Sequence, residues 1–168
     1  MIVAIISVVI SFLLDAFFSN NLAYSITGPS WFSTIYVVVC LLVLFPYFDN
    51  YKKYFYLLLG CALVFDIVYT GTILVNVIIF IILYLVVKKL NFWFPNNFFV
   101  ANILSLIGIS IYHVMCFVIL SIVKYNSYDV SLLGLILSHS IIATIIYTSL
   151  LYMSINTIYN HFNIKQIK

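Results

Sequence analysis

Hydrophobic residues run in six long blocks along this chain, and short polar or turn-forming stretches separate them. The blocks are Ile2 to Phe18, Trp31 to Phe48, Tyr54 to Tyr69, Thr72 to Val87, Phe98 to Val123 and Ser131 to Tyr159. A membrane-spanning α-helix needs about 20 predominantly apolar residues. Several blocks are near this length, and the last two are long enough to tilt. The pattern therefore predicts six transmembrane helices.

The third and fourth blocks are short, and only Thr70 and Gly71 separate them. Two helices joined by so short a turn form a helical hairpin. We expect its apex to dip toward the membrane rather than to stand in water, because the turn is too short to carry the chain far from the bilayer.

Composition agrees with this interpretation. The chain has 168 residues, of which 66% are hydrophobic and 7% are charged, as is typical of polytopic membrane proteins. No stretch between blocks is longer than about a dozen residues, so no separate soluble domain is expected. The first block lacks a basic leader region and reads as a retained helix, not a signal peptide. We predict an all-α, single six-helix transmembrane domain over residues 1–168.

Lysine positions predict the orientation of the chain. Alternating crossings place six of the seven lysines on one side, namely Lys52, Lys53, Lys88, Lys89, Lys165 and Lys168. Lys124 alone falls on the other side. Because basic residues accumulate on the cytoplasmic side of membranes, both termini are predicted to be cytoplasmic. Aromatic residues flank the first lysine pair, as interfacial anchors do.

Several function classes have little support. The formal net charge of +3 comes from dispersed lysines and is too small for a nucleic-acid footprint. The chain has no Glu or Arg and no phosphate-loop, HExxH or GxSxG motif. We therefore expect no enzymatic activity, no cofactor and no metal. Three cysteines without CxxC spacing are expected to be packed apolar groups. His113 and His139 lie at similar depth and favour interhelical hydrogen bonding over a metal site.

Asp66 is the most unusual residue, because it interrupts an apolar block one helical turn before the hairpin apex. An ionisable group costs roughly 2.5 to 3.5 kcal/mol at the middle of a spanning helix, so its presence asks for a reason. Tyr69 and Thr70 share its helix face, and Asp15 lies at a matching depth. One hypothesis is a polar patch that orders the hairpin or docks a partner. The alternative is that both carboxylates reach water or cap loop N–H groups.

Small residues recur at helical spacing in the last two blocks. Ala101, Ser105 and Gly108 lie on one face of the fifth block, and Gly134 begins a similar stripe in the sixth. Small residues let helix backbones approach closely. The fifth and sixth helices are therefore predicted to pack tightly, within the chain or against a partner.

Segments two to four resemble MreD, the rod shape-determining membrane protein of bacteria, in its low-GC Gram-positive form. The matching residues are LVLFPYFDNYKKYFYLLLG from Leu42, FDIVYTGTILVN from Phe65 and LYLVVKKL from Leu83. The six blocks and the chain length also fit. The resemblance makes Asp66, Tyr69, Thr70 and Asn76 the candidate hairpin site, with Asp15 as a neighbour. The chain departs from the family in one place: many members carry a Gly a few positions before the Asp, where this chain has Ala62 to Phe65. Either Gly60 serves the close packing instead, or the hairpin packs differently.

The resemblance implies a non-enzymatic scaffold of the cell-elongation complex in the bacterial plasma membrane. It would bind MreC directly and so influence cell shape and peptidoglycan synthesis. Indirect partners would be RodA, a class B penicillin-binding protein and the MreB system, with membrane lipids around the bundle. The fold is also similar to the substrate-binding subunits of energy-coupling-factor vitamin transporters, which is the alternative function. Those subunits carry an AxxxA-type stripe on the first helix, and Ala4 and Ala16 do not form one.

Overall fold

The computed structural model of this chain describes residues 2–22, 34–70, 74–93, 96–122 and 130–161. Within these ranges the chain is helical apart from short connecting residues. The helices are α1 (Ile2–Leu22), α2 (Tyr36–Leu44), α3 (Tyr51–Phe65), α4 (Val75–Trp93), α5 (Phe98–Ile122) and α6 (Val130–His161). Each of the six hydrophobic blocks thus contains one helix, with bounds that differ by a few residues from those predicted.

Three stretches of the described chain are long and apolar enough to cross a membrane: Val75–Trp93, Phe98–Ile119 and Leu133–His161. Two further apolar stretches, Ile2–Phe18 and Tyr36–Tyr47, are shorter. The prediction of an all-α fold with membrane-compatible helices is confirmed at this level. The count of six crossings and the cytoplasmic position of the termini stay predictions.

The connection between α2 and α3 is a tight turn. A 3-10 turn, Phe45–Tyr47, continues α2 and contains Pro46. Proline has no backbone N–H to donate to the preceding turn, so it favours the end of the helix here. Asn50 then caps α3, since its side chain accepts a hydrogen bond of 2.9 Å from the backbone N–H of Lys52.

The core is built around α2. All nine residues from Tyr36 to Leu44 are buried, as expected for a helix that is apolar on every side. Helices α1, α5 and α6 pack directly against α2, while α3 packs on α4 and α4 on α5. The α5 and α6 pair forms the most extensive helix contact in the described chain, which confirms the predicted tight packing of the fifth and sixth segments.

A close contact with a neighbouring helix is seen at Gly108 and not at Gly60. A Cβ atom at Gly108 would lie 2.3 Å from Leu42 Cδ1, so this position on α5 has room only for glycine unless Leu42 moves. At Gly60 and Gly134 an added Cβ would meet no heavy atom within 4 Å. The packing role assigned to Gly60 is therefore wrong within the described chain. The tight contact at Gly108 is made to Leu42 on α2, and the small-residue stripe does not say which helix lies there.

Candidate functional site

Asp66 lies at the end of α3, where the helix widens into a π-helical turn spanning Asp66–Thr70. Its carboxylate is buried, with 2% of the residue exposed. Oδ1 accepts hydrogen bonds from the backbone N–H of Asn76 at 3.0 Å and from its side-chain amide at 2.9 Å. Oδ2 accepts a longer bond of 3.3 Å from the backbone N–H of Val77. The carboxylate therefore binds the first turn of α4.

This arrangement supplies α4 with a cap that its own sequence lacks. The first N–H groups of a helix have no partner within the helix, and Ser, Thr, Asp or Asn usually accepts from them. The residue before α4 is Leu74, which has no side-chain acceptor and adopts a left-handed backbone with φ of 67°. Asp66 accepts from the N–H groups in its place. The helix dipole adds to the effect, since the N-terminus of a helix stabilises a negative charge.

The contact extends from the α3–α4 hairpin to α5. Tyr112 on α5 donates its hydroxyl hydrogen bond to Asn76 Oδ1, while the amide nitrogen of the same Asn76 donates to Asp66. Tyr112 is 5% exposed and Asn76 is 2% exposed. Because a buried polar group is costly unless it is hydrogen-bonded, this chain of three side chains fixes α3, α4 and α5 relative to one another.

Asp15 makes the same kind of contact one hairpin earlier. It lies near the end of α1, is buried, and accepts hydrogen bonds of 2.9 Å from the backbone N–H groups of both Tyr36 and Val37. The N-cap residue of α2 is Ile35, which has no side-chain cap hydrogen bond. Asp15 thus caps α2 from the preceding helix, as Asp66 caps α4.

A tyrosine joins the two carboxylate sites. Tyr69 lies in the π-helical turn after Asp66 and donates a 2.7 Å hydrogen bond from its hydroxyl to the backbone carbonyl of Phe12 on α1. Its ring stacks on Phe12 and on Phe65, with centroid separations of 6.1 and 4.8 Å. The end of α3 is therefore fastened to α1 within one turn of Asp15.

Five of the six predicted site residues thus meet at one end of the bundle. Asp66, Tyr69, Asn76 and Asp15 take part in the contacts above, and Thr70 closes the π-helical turn, although its side chain lies outside the described residues. Gly60 is exposed on α3 and is not part of the site. Snorkelling of the two carboxylates to water is wrong, because both are buried. Capping is observed, but at helix N-termini and not in loops.

The lysines of α3 lie far from this site. Lys52 and Lys53 are in the first turn of α3, and Asp66 follows its last residue. With a rise of about 1.5 Å per residue, roughly 20 Å separates the two ends. The lysines of α3 therefore do not hold Asp66, whose carboxylate accepts hydrogen bonds from amide donors at the start of α4. Such a site can order helices.

Histidine and cysteine residues add no metal site to the described chain, which holds no group of three potential ligands. His139 Nδ1 lies 2.8 Å from the carbonyl of Leu135 on its own helix, and His113 Nε2 is buried without a hydrogen-bond partner. The interhelical hydrogen bonding expected of these two histidines is not seen at these atoms. Cys40, Cys61 and Cys116 are free thiols, and the first two are buried as predicted.

An apolar groove of about 530 Å³ lies beside the site, between α1 and α6. Its walls include Ile10, Leu14 and Leu150, with Ser7 and Ser154 among its few polar residues. Tyr147 contributes to the wall and shares a 2.7 Å hydrogen bond with Ser11 of α1. The groove has the size of a small-molecule site, which typically measures about 300 to 1,000 Å³.

Sequence reasoning missed Tyr112, which completes the Asp66 network from α5. Nothing in its sequence neighbourhood distinguishes it from the other tyrosines, because the contact depends on how α5 packs against α4. A clue to capping across the hairpins was present: both Ile35 and Leu74 are apolar residues at helix starts, and an Asp lies within or directly after the helix that precedes each of them.

Comparison with known proteins gave no match, since the chain matched no protein-family model, no curated protein and no solved structure. The resemblance to MreD thus rests on the sequence motifs alone.

Proposed function

We propose that this chain is a non-catalytic membrane scaffold, a six-helix protein whose helices order one another and present surfaces to other membrane proteins. Within that class we propose a member of the MreD family that acts in the cell-elongation complex of bacteria. It would span the plasma membrane six times with both termini in the cytoplasm. MreC would be its direct partner, and RodA, a class B penicillin-binding protein and the MreB system its indirect ones.

The observation that carries the proposal is how Asp66, the most recognisable position of the motif, is bound within the bundle. Its carboxylate is buried and binds Asn76 and Val77 at the start of α4. A signature residue engaged with backbone donors in this way stabilises a fold, and it is not available to a substrate. This supports a scaffold in which the motif residues stabilise the hairpin and other surfaces contact the partners.

Depletion in the host bacterium tests the function. We expect loss of the chain to widen or round the cells and to reduce the recruitment of MreC to the sites of wall growth, both visible by fluorescence microscopy. Affinity purification of the tagged chain from crosslinked membranes should recover MreC. Unchanged cell width and unchanged MreC recruitment after depletion would contradict the proposal.

Complementation separates a structural role of Asp66 from direct docking. Asp66→Asn and Asp66→Leu are expressed in depleted cells, with Lys53→Gln as the control at an exposed charged residue. A structural role predicts that MreC recovery falls in parallel with the amount of folded protein in the membrane. Loss of MreC recovery at a normal level of folded protein would assign docking to Asp66 instead.

A second function is supported by the groove between α1 and α6. Its volume of about 530 Å³ would accommodate a vitamin-sized ligand, as a substrate-binding subunit of an energy-coupling-factor transporter requires. The walls of the groove are mostly apolar, whereas a vitamin-binding site places several polar groups around its ligand. The groove therefore supports this function less well than the other observations support the scaffold. Mass spectrometry of the purified protein decides the question, since one vitamin per chain would replace the scaffold proposal.

A further inference from the structure

A second cavity lies at the opposite end of the α3–α4 hairpin from Asp66. It has a volume of about 770 Å³ and is formed by the turn before α3, the first turns of α3 and the end of α4. Lys52 and Lys88 line it together with Asp49 and the rings of Tyr51, Tyr56 and Tyr84. Neither the carboxylate site nor the α1–α6 groove shares these residues.

Lys88 is positioned by aromatic rings. Its Nζ lies 5.7 Å from the centroid of the Tyr51 ring and 5.8 Å from that of Tyr84. A cation within about 6 Å of such a ring is attracted to its face. Two rings on different helices therefore keep the ammonium group at the cavity, where a free lysine side chain would sample many rotamers.

The charges of the cavity are available to a ligand. Among the described residues, neither Lys52 nor Lys88 forms an ion pair with a carboxylate, and Asp49 lines the same cavity without pairing with either of them. Two lysines and one aspartate give the site a net charge of about +1 at neutral pH. This charge matches that of a phosphodiester, which carries one negative charge. Asp49 can in addition accept a hydrogen bond from a hydroxyl of the same ligand.

We propose that this cavity binds the headgroup of an anionic glycerophospholipid, with the phosphate between Lys52 and Lys88 and a headgroup hydroxyl donated to Asp49. The inference rests on the membrane insertion assumed in the proposed function, though not on the MreC partnership. The cytoplasmic leaflet is rich in anionic lipid, and basic pockets between helices on that side bind such headgroups. Tyr56, 71% exposed, provides the amphipathic ring typical of the membrane interface.

Lipid binding to two charge-matched variants tests the proposal. The first is Lys52→Gln with Lys88→Gln, which removes both lysines of the cavity. The second is Lys53→Gln with Lys89→Gln, neighbouring exposed lysines that do not line it. The purified protein is loaded with phosphatidylglycerol or phosphatidylcholine, and the lipid retained per chain is counted by native mass spectrometry as a function of lipid concentration.

We expect the unaltered protein to retain phosphatidylglycerol in preference to phosphatidylcholine. The variant Lys52→Gln with Lys88→Gln should bind phosphatidylglycerol at least about tenfold more weakly, because each lysine contributes to the attraction of an anionic lipid. The control variant Lys53→Gln with Lys89→Gln should change the binding by less than about twofold. An equal loss in both pairs, which would indicate diffuse surface charge, overturns the proposal. So does unchanged binding in the cavity pair.

A competition with inorganic phosphate identifies the source of the phosphate group. A lipid site keeps its phosphatidylglycerol when inorganic phosphate is in excess, because the acyl chains add apolar contacts that free phosphate lacks. Complete displacement of phosphatidylglycerol by inorganic phosphate would overturn the proposal and show that the cavity is a site for a free anion. Since the measurement uses no MreC, a chain that binds lipid here and fails to recruit MreC would refute the proposed function alone.

Discussion

Asp66 and Asp15 show how a carboxylate inside an apolar bundle is accommodated by backbone amide donors. Each accepts hydrogen bonds from backbone N–H groups at the start of the following helix, Asp15 at α2 and Asp66 at α4. These N–H groups would otherwise be buried donors without partners. The N–H groups therefore stabilise the buried carboxylate, and the carboxylate gives those N–H groups an acceptor. Burial of either one without the other would be costly.

Replacement of Asp66 by leucine should destabilise the protein strongly. The substitution removes the acceptors for Asn76 and Val77, and a buried donor left without a partner costs about 1 to 3 kcal/mol. We expect a loss of about 3 kcal/mol or more in the free energy of unfolding, measured by denaturant titration in detergent micelles. Asp66→Asn should lose less, because its amide oxygen still accepts from Asn76. A control at the exposed Asp49, Asp49→Asn, should stay within about 0.5 kcal/mol.

Tyr112→Phe tests whether the network reaches α5. The change removes only the hydroxyl that donates to Asn76 Oδ1 and keeps the ring that packs in the core. We expect a loss of about 1 kcal/mol in the free energy of unfolding, the usual net contribution of one hydrogen bond. Tyr56→Phe is the matched control, since Tyr56 is 71% exposed. Equal stability of both variants would show that the Tyr112 hydroxyl contributes nothing.

At the level of single residues, the sequence predicted that Asp66, Tyr69 and Asn76 lie together, but it missed Tyr112 and left the role of the group open. Asp66, Tyr69 and Asn76 stand out because polar residues are rare in the apolar blocks, and periodicity places them near one helix end. Their acceptor and donor partners are backbone groups of α4 and α1, which carry no residue-specific signal. The choice between capping, docking and snorkelling therefore depended on burial, which only the packed helices determine.

The helix pair α1 and α2 and the helix pair α3 and α4 are stabilised by the same kind of cap. In each pair the second helix begins after an apolar residue, Ile35 or Leu74, and takes its cap from the first helix. A helix without a local cap is poorly defined at its start until its partner is in place. The cross-helix caps therefore couple the correct pairing of each hairpin to the formation of the second helix.

Gly108 leaves room on α5 for the side chain of Leu42 on α2, and its replacement should be destabilising. A valine at this position would overlap Leu42, and overpacking of this kind costs about 1 to 3 kcal/mol. The measurement is again the free energy of unfolding in micelles. Gly60→Val is the matched control, because an added Cβ at Gly60 meets no heavy atom within 4 Å.

A double substitution checks that the cost arises at the α5–α2 contact. Leu42→Ala removes the atoms that the new side chain would meet, so Gly108→Val with Leu42→Ala should be less destabilising than the sum of the two single changes. A coupling of about 0.5 to 3 kcal/mol is expected for residues in contact. Additive effects would mean that the strain lies elsewhere on α5.

Helix positions followed from hydrophobic length, while helix ends and neighbours did not. The blocks placed α5 and α6 within one or two residues, because polar residues bound them on both sides. They placed the start of α2 five residues early, at Trp31 instead of Tyr36, since apolarity continues through the preceding stretch. The packing partner of Gly108 was also beyond the sequence, because a small residue indicates a close approach without saying which helix approaches.

At the scale of the whole molecule, the number of crossings depends on α1, α2 and α3. Of these, α3 is 15 residues long, but the π-helical turn continues it without a break to Thr70, so that 20 residues are helical in succession. A stretch of this length approaches the thickness of the hydrocarbon core, about 30 Å. Its two ends also differ in charge, with lysines at one and a buried carboxylate at the other. This favours α3 as a crossing helix.

Cysteine labelling from each side of the membrane tests that crossing. In a variant whose three native cysteines are replaced by alanine, Lys53→Cys probes the lysine end of α3 and Leu74→Cys the hairpin apex, both at exposed positions. Six crossings predict that an impermeant reagent applied to intact cells labels Leu74→Cys, whereas Lys53→Cys reacts only after the membrane is opened. The positive-inside rule gives this orientation, because four lysines flank the α3–α4 hairpin on one side. If α3 lay on the surface instead, both positions would react from the same side, since α3 alone connects them, and the six-helix scaffold would have to be replaced by a protein with fewer crossings.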